Sequence, residues 1–261
     1  MNTVNTMNTI FVVENGINTS YIDTLLFSLF YNTHCNDLLT ELPENERFGY
    51  LQDLILDNFI YPIRNSHTVK ADVINEIRNY SYLCGWKNNT NILELFNVVE
   101  YFDFLMNGLT KKIINIDIKI TDKNIKNISM NYITFDIEKN TNIKTLLNQW
   151  QKNNFYFREI PFIVPIYLNR KQESTYNYNK IDIKKKLKFN NDKINSWSIY
   201  SIICYVKSTD HNIYYSLILC DNSWYLFNNL NYPALSKIDI TETDNKFKIM
   251  QECVMLFYKL T

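Results

Sequence analysis

The spacing of apolar residues changes from a helical to an alternating pattern near residue 110, and this change decides the fold class. Helical spacing predicts helices before that point, at about 20–31, 45–60, 69–80 and 91–109. After it, alternation predicts strands at Ile113–Ile120 and Tyr132–Ile137, with a short helix at Ile143–Trp150. A helical half followed by a sheet half predicts an α+β protein.

Composition favours one intracellular domain. The 261 residues are 46% hydrophobic, which is enough for one large core, so we expect a single domain over residues 1–261. Lys and Arg together number 27, and so do Asp and Glu, so no net charge favours nucleic acid or a membrane surface. The apolar run Ile10–Val13 is too short for a signal peptide or a membrane span. We therefore expect a protein of the cytoplasm or nucleus, in a host cell if its source is viral.

The cysteines predict neither a disulfide framework nor a metal site. They are odd in number, widely scattered and never in a Cys-x-x-Cys pair: Cys35, Cys84, Cys204, Cys220 and Cys253. Residues 110–160 contain no cysteine or histidine that could hold a zinc ion. We expect reduced thiols, no structural zinc and no cofactor.

A tight turn leads into an apolar helix between residues 15 and 30. Asn15, Asn18 and Thr19 suit turns and helix caps, and the following apolar residues repeat at helical spacing. Ser20 is therefore predicted at the N-terminus of a buried helix. Thiol proteases place their nucleophile at such a position, because the helix N-terminus stabilises a thiolate.

This segment resembles the cysteine box of the ubiquitin-specific proteases, which typically reads Asn-x-Gly-Asn-Thr-Cys-Tyr-x-Asn-Ser. It is most similar to the cylindromatosis-type version, Asn-Ser-Cys-Tyr-Leu-Asp-Ser-x-Leu-Phe. The residues in register are Asn18, Thr19, Tyr21, Asp23, Leu26 and Phe27. Ser20 occupies the position of the catalytic cysteine, and Gly16 lies one residue before the family glycine.

Four further segments resemble other boxes of this family, in the family's order. They are the helix 97–109, the strand 160–170, the histidine box 199–229 and the terminal strand 254–258. The resemblance implies a papain-like fold, with a helical thumb over about residues 10–110. It also implies a β-rich palm with shortened, zinc-free fingers over about residues 111–261.

The resemblance also implies roles for individual residues. Ser20 stands at the nucleophile position, His211 is the general base, Asn228 orients the imidazole and Asn15 donates to the oxyanion. The amide oxygen of Asn228 can accept the imidazole N–H, but it cannot stabilise an imidazolium by charge.

A family member of this kind binds ubiquitin or a ubiquitin-like protein. The ubiquitin tail ends Leu-Arg-Leu-Arg-Gly-Gly, so its arginines need acceptors, and the resemblance points to Glu100 with Asn97 as a weaker second. We expect the protein to be a monomer that binds no nucleic acid and no membrane.

Ser20 predicts that catalysis is lost or severely impaired. The field that ionises a thiol near neutral pH cannot ionise a hydroxyl, which is far more basic. Serine needs a poised base, and the buried carboxylate of the Ser-His-Asp machinery contributes about 10⁴-fold, whereas Asn228 carries no charge. Three alternatives stay open: an inactive ubiquitin-binding domain, an active deubiquitinase that uses serine or is a thiol enzyme whose cysteine was mutated to Ser20, and a papain-like scaffold that no longer binds ubiquitin.

A lysine-rich segment follows the strand 160–170. Ile181–Phe189 alternates apolar and basic residues, which predicts an edge strand with a solvated lysine face rather than a nucleic-acid patch.

Overall fold

A computed structural model describes most of the chain. It covers residues 13–14, 16–32, 38–39, 43, 45–65, 67–87, 94–109, 112–121, 124–151, 155–172, 175–189, 194–207 and 212–261. Within these ranges, no helix is both long enough and apolar enough to cross a membrane.

Helices dominate the first part of the chain. They are α1 Ser20–Phe30, α2 Glu46–Ile55, α3 Tyr61–Arg64, α4 Ala71–Leu83 and α5 Val98–Leu109. A π-helical segment, Leu56–Ile60, joins α2 to α3 without a break. Two helices lie among the later strands: α6 Ile143–Trp150 and α7 Thr243–Glu252.

Strands make up most of the second part. The first eight are β1 Ile114–Thr121, β2 Asn124–Met130, β3 Ile133–Asp136, β4 Thr141–Asn142, β5 Phe155–Phe157, β6 Ile163–Asn169, β7 Lys171–Gln172 and β8 Thr175–Tyr176. The others are β9 Ile181–Asp182, β10 Lys186–Leu187, β11 Trp197–Lys207, β12 Asn212–Cys220, β13 Ser223–Phe227, β14 Leu235–Ile238 and β15 Cys253–Leu260.

The main sheet has eight strands. Its order is β14-β13-β12-β11-β15-β6-β3, and β10 pairs with the start of β11. All of these pairs are antiparallel except β3 with β6. A separate three-stranded sheet, β2-β1-β5, occupies the place where the resemblance implies fingers.

Helix α1 lies at the centre of the core. All 11 of its residues are buried. On one side it meets α4 and α5, and on the other it meets β11 and β12. Phe27 of α1 stacks on Phe227 of β13 with ring centroids 4.0 Å apart. The helical part and one face of the main sheet therefore share a single apolar core.

The predicted α+β class is confirmed, and several elements lie where the pattern placed them. The helix at Ile143–Trp150 has the predicted bounds, and Asn142 caps it by accepting from the Thr145 N–H at 2.8 Å. The prediction of one edge strand over Ile181–Phe189 is wrong. Two short strands form there instead, because β9 pairs with β4 while β10 pairs with β11.

Candidate functional site

A tight turn brings the chain to the start of α1. Asn18 has a φ of 55°, a left-handed conformation that asparagine tolerates better than most residues. A Cβ at Gly16 would lie 2.8 Å from Thr19 Cγ2 and 2.9 Å from Asn75 Oδ1, so any larger residue there would require the Thr19 and Asn75 side chains to shift. Buried Arg78 of α4 donates to the Ile17 carbonyl at 2.5 Å. These contacts fix the approach of the chain to Ser20.

Ser20 is the first residue of α1, as predicted, and it is 4% exposed. Its Oγ accepts a hydrogen bond from the backbone N–H of Tyr214 at 3.2 Å. One turn later, the Thr24 hydroxyl donates to the Tyr214 carbonyl at 3.2 Å. Pairing between β12 and β13 stops at Ser216 and Phe227. The first turn of α1 therefore bonds the backbone of β12 just beyond the end of β13.

Tyr214 also connects β12 to α5. Its ring is buried, and its hydroxyl lies 3.5 Å from the backbone nitrogen of Val98, the first residue of α5. Asn97 accepts from the Val99 N–H at 2.8 Å, which satisfies one of the free N–H groups at the start of α5. The N-termini of α1 and α5 thus meet at one residue of the sheet.

A cavity of about 330 Å³ opens between the start of α5 and the strands β6, β8, β11 and β12. Four tyrosines line it: Tyr167, Tyr176, Tyr205 and Tyr214. The charged side chains among its described lining residues are all basic: Arg170, Lys171 and Lys207. Tyr214, which lines this cavity, bonds Ser20 through its backbone N–H, so the cavity lies beside the residue that contacts the predicted nucleophile position.

The two predicted tail acceptors occupy different positions relative to this cavity. Asn97 lines it, but the amide oxygen of Asn97 already accepts the Val99 N–H. Glu100 is exposed and forms an ion pair with Lys87, with 2.6 Å between Nζ and Oε2. A ligand that uses Glu100 must therefore compete with Lys87.

Asn228 and Asn229 follow β13 and differ in their partners. The Oδ1 of Asn228 accepts from the Leu230 N–H at 3.0 Å, so this side chain stabilises its own turn. Asn229 is buried and donates through Nδ2 to Oδ2 of Asp23 in α1. Asn229 therefore links the turn after β13 to the helix that begins with Ser20.

Asp23 is a fully buried carboxyl group one turn below Ser20. The backbone N–H of Thr24 donates to its Oδ1 at 2.6 Å, and the Thr19 hydroxyl donates to its Oδ2 at 3.4 Å. Burial raises the pKa of Asp23 to about 7, although these hydrogen bonds oppose the shift. At pH values below this pKa, the folded protein therefore holds the Asp23 carboxyl in its protonated form.

Arg170, the arginine of the predicted strand motif, has a structural role. It is 1% exposed and donates to four backbone carbonyls: those of Cys253, Asn179, Met250 and Asn177, at 2.7, 2.6, 2.9 and 3.5 Å. Backbone carbonyls around α7 and β15 therefore accept the hydrogen bonds of the Arg170 guanidinium, although the residue also lines the cavity.

Asn15 and His211 lie outside the described residues, so their predicted roles stay predictions. His211 directly precedes β12, and Asn15 directly precedes Gly16, in the sequence. Among the described residues, no group of three or more His, Cys, Asp or Glu side chains could hold a metal ion.

Sequence reasoning missed the contacts that assemble the site. Tyr214 and Thr24 join α1 to β12, and Asn229 joins Asp23 to the turn after β13. Asp23 lies in the segment that resembles the cysteine box, and Asn229 is adjacent to Asn228, so the sequence pointed to both regions. The sequence pattern did not predict that these two residues, 206 positions apart, form a hydrogen bond.

Comparisons with known proteins support the fold. No protein-family model and no curated protein matches the chain. Among solved structures, it is similar to a SAGA DUB module of Ubp8, Sgf11, Sus1 and Sgf73 bound to monoubiquitin. The identity is 13% and the TM-score 0.65, covering 96% of this chain and 68% of the other.

Two further structures give the same result. The same module bound to ubiquitin aldehyde has 13% identity and a TM-score of 0.65, covering 100% of this chain and 72% of the other. The yeast module with a mutant Sgf73 has 13% identity and a TM-score of 0.60, covering 98% and 68%. At this identity the likeness concerns the fold, which is that of a ubiquitin-specific protease.

Proposed function

We propose that the chain is a deubiquitinase-family domain that binds ubiquitin or a ubiquitin-like protein and has lost most or all of its turnover. The observation that carries this proposal is the position of Ser20. It begins the central helix of a ubiquitin-specific protease fold and accepts a hydrogen bond from Tyr214, which lines a cavity between α5 and the sheet. In the similar Ubp8 modules, two structures contain ubiquitin or ubiquitin aldehyde.

Three features support impaired turnover. A helix N-terminus stabilises a thiolate, but a hydroxyl stays protonated there. The Oγ of Ser20 accepts a hydrogen bond from the Tyr214 N–H, which engages one of its two lone pairs and lowers its nucleophilicity. Asn228, the predicted orienter of His211, has no negative charge to stabilise an imidazolium.

The decisive experiment restores the thiol. We expect purified protein to bind ¹⁵N-labelled mono-ubiquitin, with shifts in the resonances of the ubiquitin tail, and to leave a fluorogenic ubiquitin substrate intact. We expect Ser20→Cys to cleave that substrate, and Ser20→Cys with His211→Ala to lose the gain. The matched control is Ser28→Cys, which places a thiol at another buried position of the same helix.

The outcomes separate the alternatives. Binding with rescue by Ser20→Cys indicates an intact recognition cleft, as either a natural inactive member or a mutated thiol enzyme would have. Absence of both binding and rescue contradicts the proposal and leaves the papain-like scaffold. Cleavage by the protein with Ser20 would show that the hydroxyl is a working nucleophile, which contradicts the proposed loss of turnover.

The oligomeric state is part of the same proposal. The Ubp8 structures are modules of several subunits, whereas we propose that this chain acts as a monomer. Light scattering during size-exclusion chromatography tests this directly, because a monomer has a mass of 31.2 kDa.

A further inference from the structure

A groove lies on the face of the main sheet opposite α1. Pairing between β11 and β12 begins at Ser201, while β10 pairs with β11 only at Trp197 and Ser198. The gap between β10 and the β12–β13 hairpin contains two adjoining cavities, of about 740 and 260 Å³. Both cavities share Ile199, Trp224 and Ile240, so they form one continuous groove.

The floor of the groove is apolar. A second apolar cluster lies apart from the core that contains α1. Ile199 and Ile202 are buried in this cluster, and Trp224 and Ile240 are half-buried beside them. Strict alternation would place Ile199 and Ile202 on opposite faces of β11, but the register of β11 against β15 shifts between Ile199 and Ser201, and both residues pack in the apolar cluster that does not contain α1. The groove therefore shares no lining residue with the cavity near Ser20.

The rim of the groove is basic. Its lysines are Lys184, Lys185, Lys186, Lys237 and Lys246, and its acidic residues are Asp182 and Asp239. Asp182 pairs with Lys184 at 2.5 Å, and Asp239 accepts from the Thr241 hydroxyl at 2.6 Å. The other four lysines form no ion pair with any described residue. On a chain with equal numbers of acidic and basic residues, this is a local concentration of positive charge.

We propose that this groove binds an acidic segment of a partner protein that carries large apolar side chains. Apolar side chains of the segment would cover Trp224 and Ile240, and its carboxylates would face the lysines. Complementary charge of this kind gives an interface its specificity and its association rate. The proposal does not depend on ubiquitin binding or on catalysis.

The composition of the groove favours a peptide over nucleic acid. Single-stranded nucleic acid binds where several aromatic side chains stack on successive bases. Trp224 is the one aromatic among the described residues that line the groove, and the other apolar lining residues are isoleucines, Leu219 and Met250. Isoleucine offers no stacking surface, whereas it packs well against leucine or phenylalanine.

The test uses fluorescence anisotropy with the full chain at about 0.15 M salt. The probe is a labelled peptide of sequence Asp-Glu-Glu-Leu-Phe-Glu-Asp-Glu. One comparison peptide has Asn and Gln in place of its acids, and another has two serines in place of Leu-Phe. A thymidine oligonucleotide of the same length carries charge without the apolar pair.

We expect saturable binding of the acidic peptide and at least about tenfold weaker binding of either comparison peptide and of the oligonucleotide. The double variant with Lys186→Glu and Lys237→Glu should bind the acidic peptide about tenfold or more weakly, because two lysines that attract its carboxylates become glutamates that repel them. Lys70→Glu with Lys126→Glu reverses two exposed charges that do not line the groove and should leave affinity within about twofold.

Three results would overturn the proposal. They are no peptide binding, tighter binding of the oligonucleotide than of the peptide, and equal losses from both pairs of charge reversals. Thermal melting of each variant confirms that it is folded before its affinity is compared.

Discussion

At the scale of single residues, Asp23 makes the stability of the protein depend on pH. Its folded pKa of about 7 lies above the ordinary value of 3.8. The folded state therefore holds a proton there that the unfolded chain releases at lower pH. Stability from this proton is fully present below about pH 4 and is lost as pH rises to about 7.

We predict that Asp23→Asn removes this dependence. Relative to the variant, the original protein should lose up to about 4 kcal/mol of unfolding free energy between about pH 4 and pH 7. Urea unfolding at both pH values measures the difference. Exposed Asp53 of α2 is the control, and Asp53→Asn should change stability by less than about 0.5 kcal/mol at either pH. If the difference in unfolding free energy between the original protein and Asp23→Asn is the same at both pH values, Asp23 is ionised in the folded protein throughout this pH range.

Glu100 and Lys87 give a second prediction for single residues. If Glu100 accepts an arginine of the ubiquitin tail, Lys87 competes with that arginine. Lys87→Ala should then tighten ubiquitin binding by about two- to fivefold, because an exposed ion pair contributes about 1 kcal/mol or less.

Glu100→Arg should instead weaken ubiquitin binding by about tenfold, measured by calorimetry, because a carboxylate becomes a like charge. Glu76→Arg, on the exposed face of α4, is the matched control. Unchanged affinity in Glu100→Arg would remove Glu100 from the proposed tail site and leave the rest of the proposal standing.

The position of Ser20 was predictable because it depends on local features: a turn and an apolar repeat. The cap expected at Thr19 does not form, because the Thr19 hydroxyl donates to Asp23 instead. The partner of Ser20 was not predictable, because the Tyr214 N–H comes from 194 positions away. Backbone donors look alike in a sequence, and only the folded sheet decides which of them lies at an open edge.

At the scale of elements, the turn before α1 depends on α4. Arg78 donates to the Ile17 carbonyl at 2.5 Å and to Asn75 at 2.9 Å while being 3% exposed. We predict that Arg78→Met costs about 2–4 kcal/mol of unfolding free energy, since it removes two hydrogen bonds from a buried charged donor, to the Ile17 carbonyl and to Asn75.

Guanidinium chloride unfolding measures this cost. Arg47 is exposed and donates to one carbonyl, that of Leu83, so Arg47→Met should cost less than about 1 kcal/mol. Equal losses from the two substitutions would show that the turn is held by its own backbone rather than by α4.

Elements that neighbouring residues determine were predicted from the sequence, whereas elements that depend on distant partners were not. Ile143–Trp150 is capped by its neighbour Asn142, so its bounds were visible. Alternation over Ile181–Phe189 predicts one strand. Two short strands form instead, because β9 pairs with β4 and β10 pairs with β11, and these partners are far apart in the sequence. Helix α7 has a weak apolar stripe, with Ile249 as its one buried residue, and was not predicted.

At the scale of the whole molecule, the central position of α1 predicts cooperative unfolding. The helix is buried on all sides, between α4 and α5 and the main sheet. Neither part can therefore unfold without exposing apolar surface of the other. Circular dichroism of the helices and fluorescence of buried Trp197 in β11 should report the same urea midpoint.

A substitution across the shared core sharpens this prediction. Phe227→Ala removes a buried ring that stacks on Phe27, and it should cost about 3–5 kcal/mol by both probes. Exposed Phe247 of α7 is the control, since Phe247→Ala should cost far less. Separate midpoints would indicate two independently folding units and contradict the single domain expected from the sequence.

The hydrogen bond between Ser20 and the edge of β12 connects the stability of the fold to the proposed loss of turnover. A thiol is a weak acceptor, so Ser20→Cys should leave the Tyr214 N–H poorly satisfied and cost about 1 kcal/mol. The oxygen that we propose prevents turnover therefore also contributes to the stability of the fold. A variant that gains a thiol nucleophile at this position would give up part of that stability.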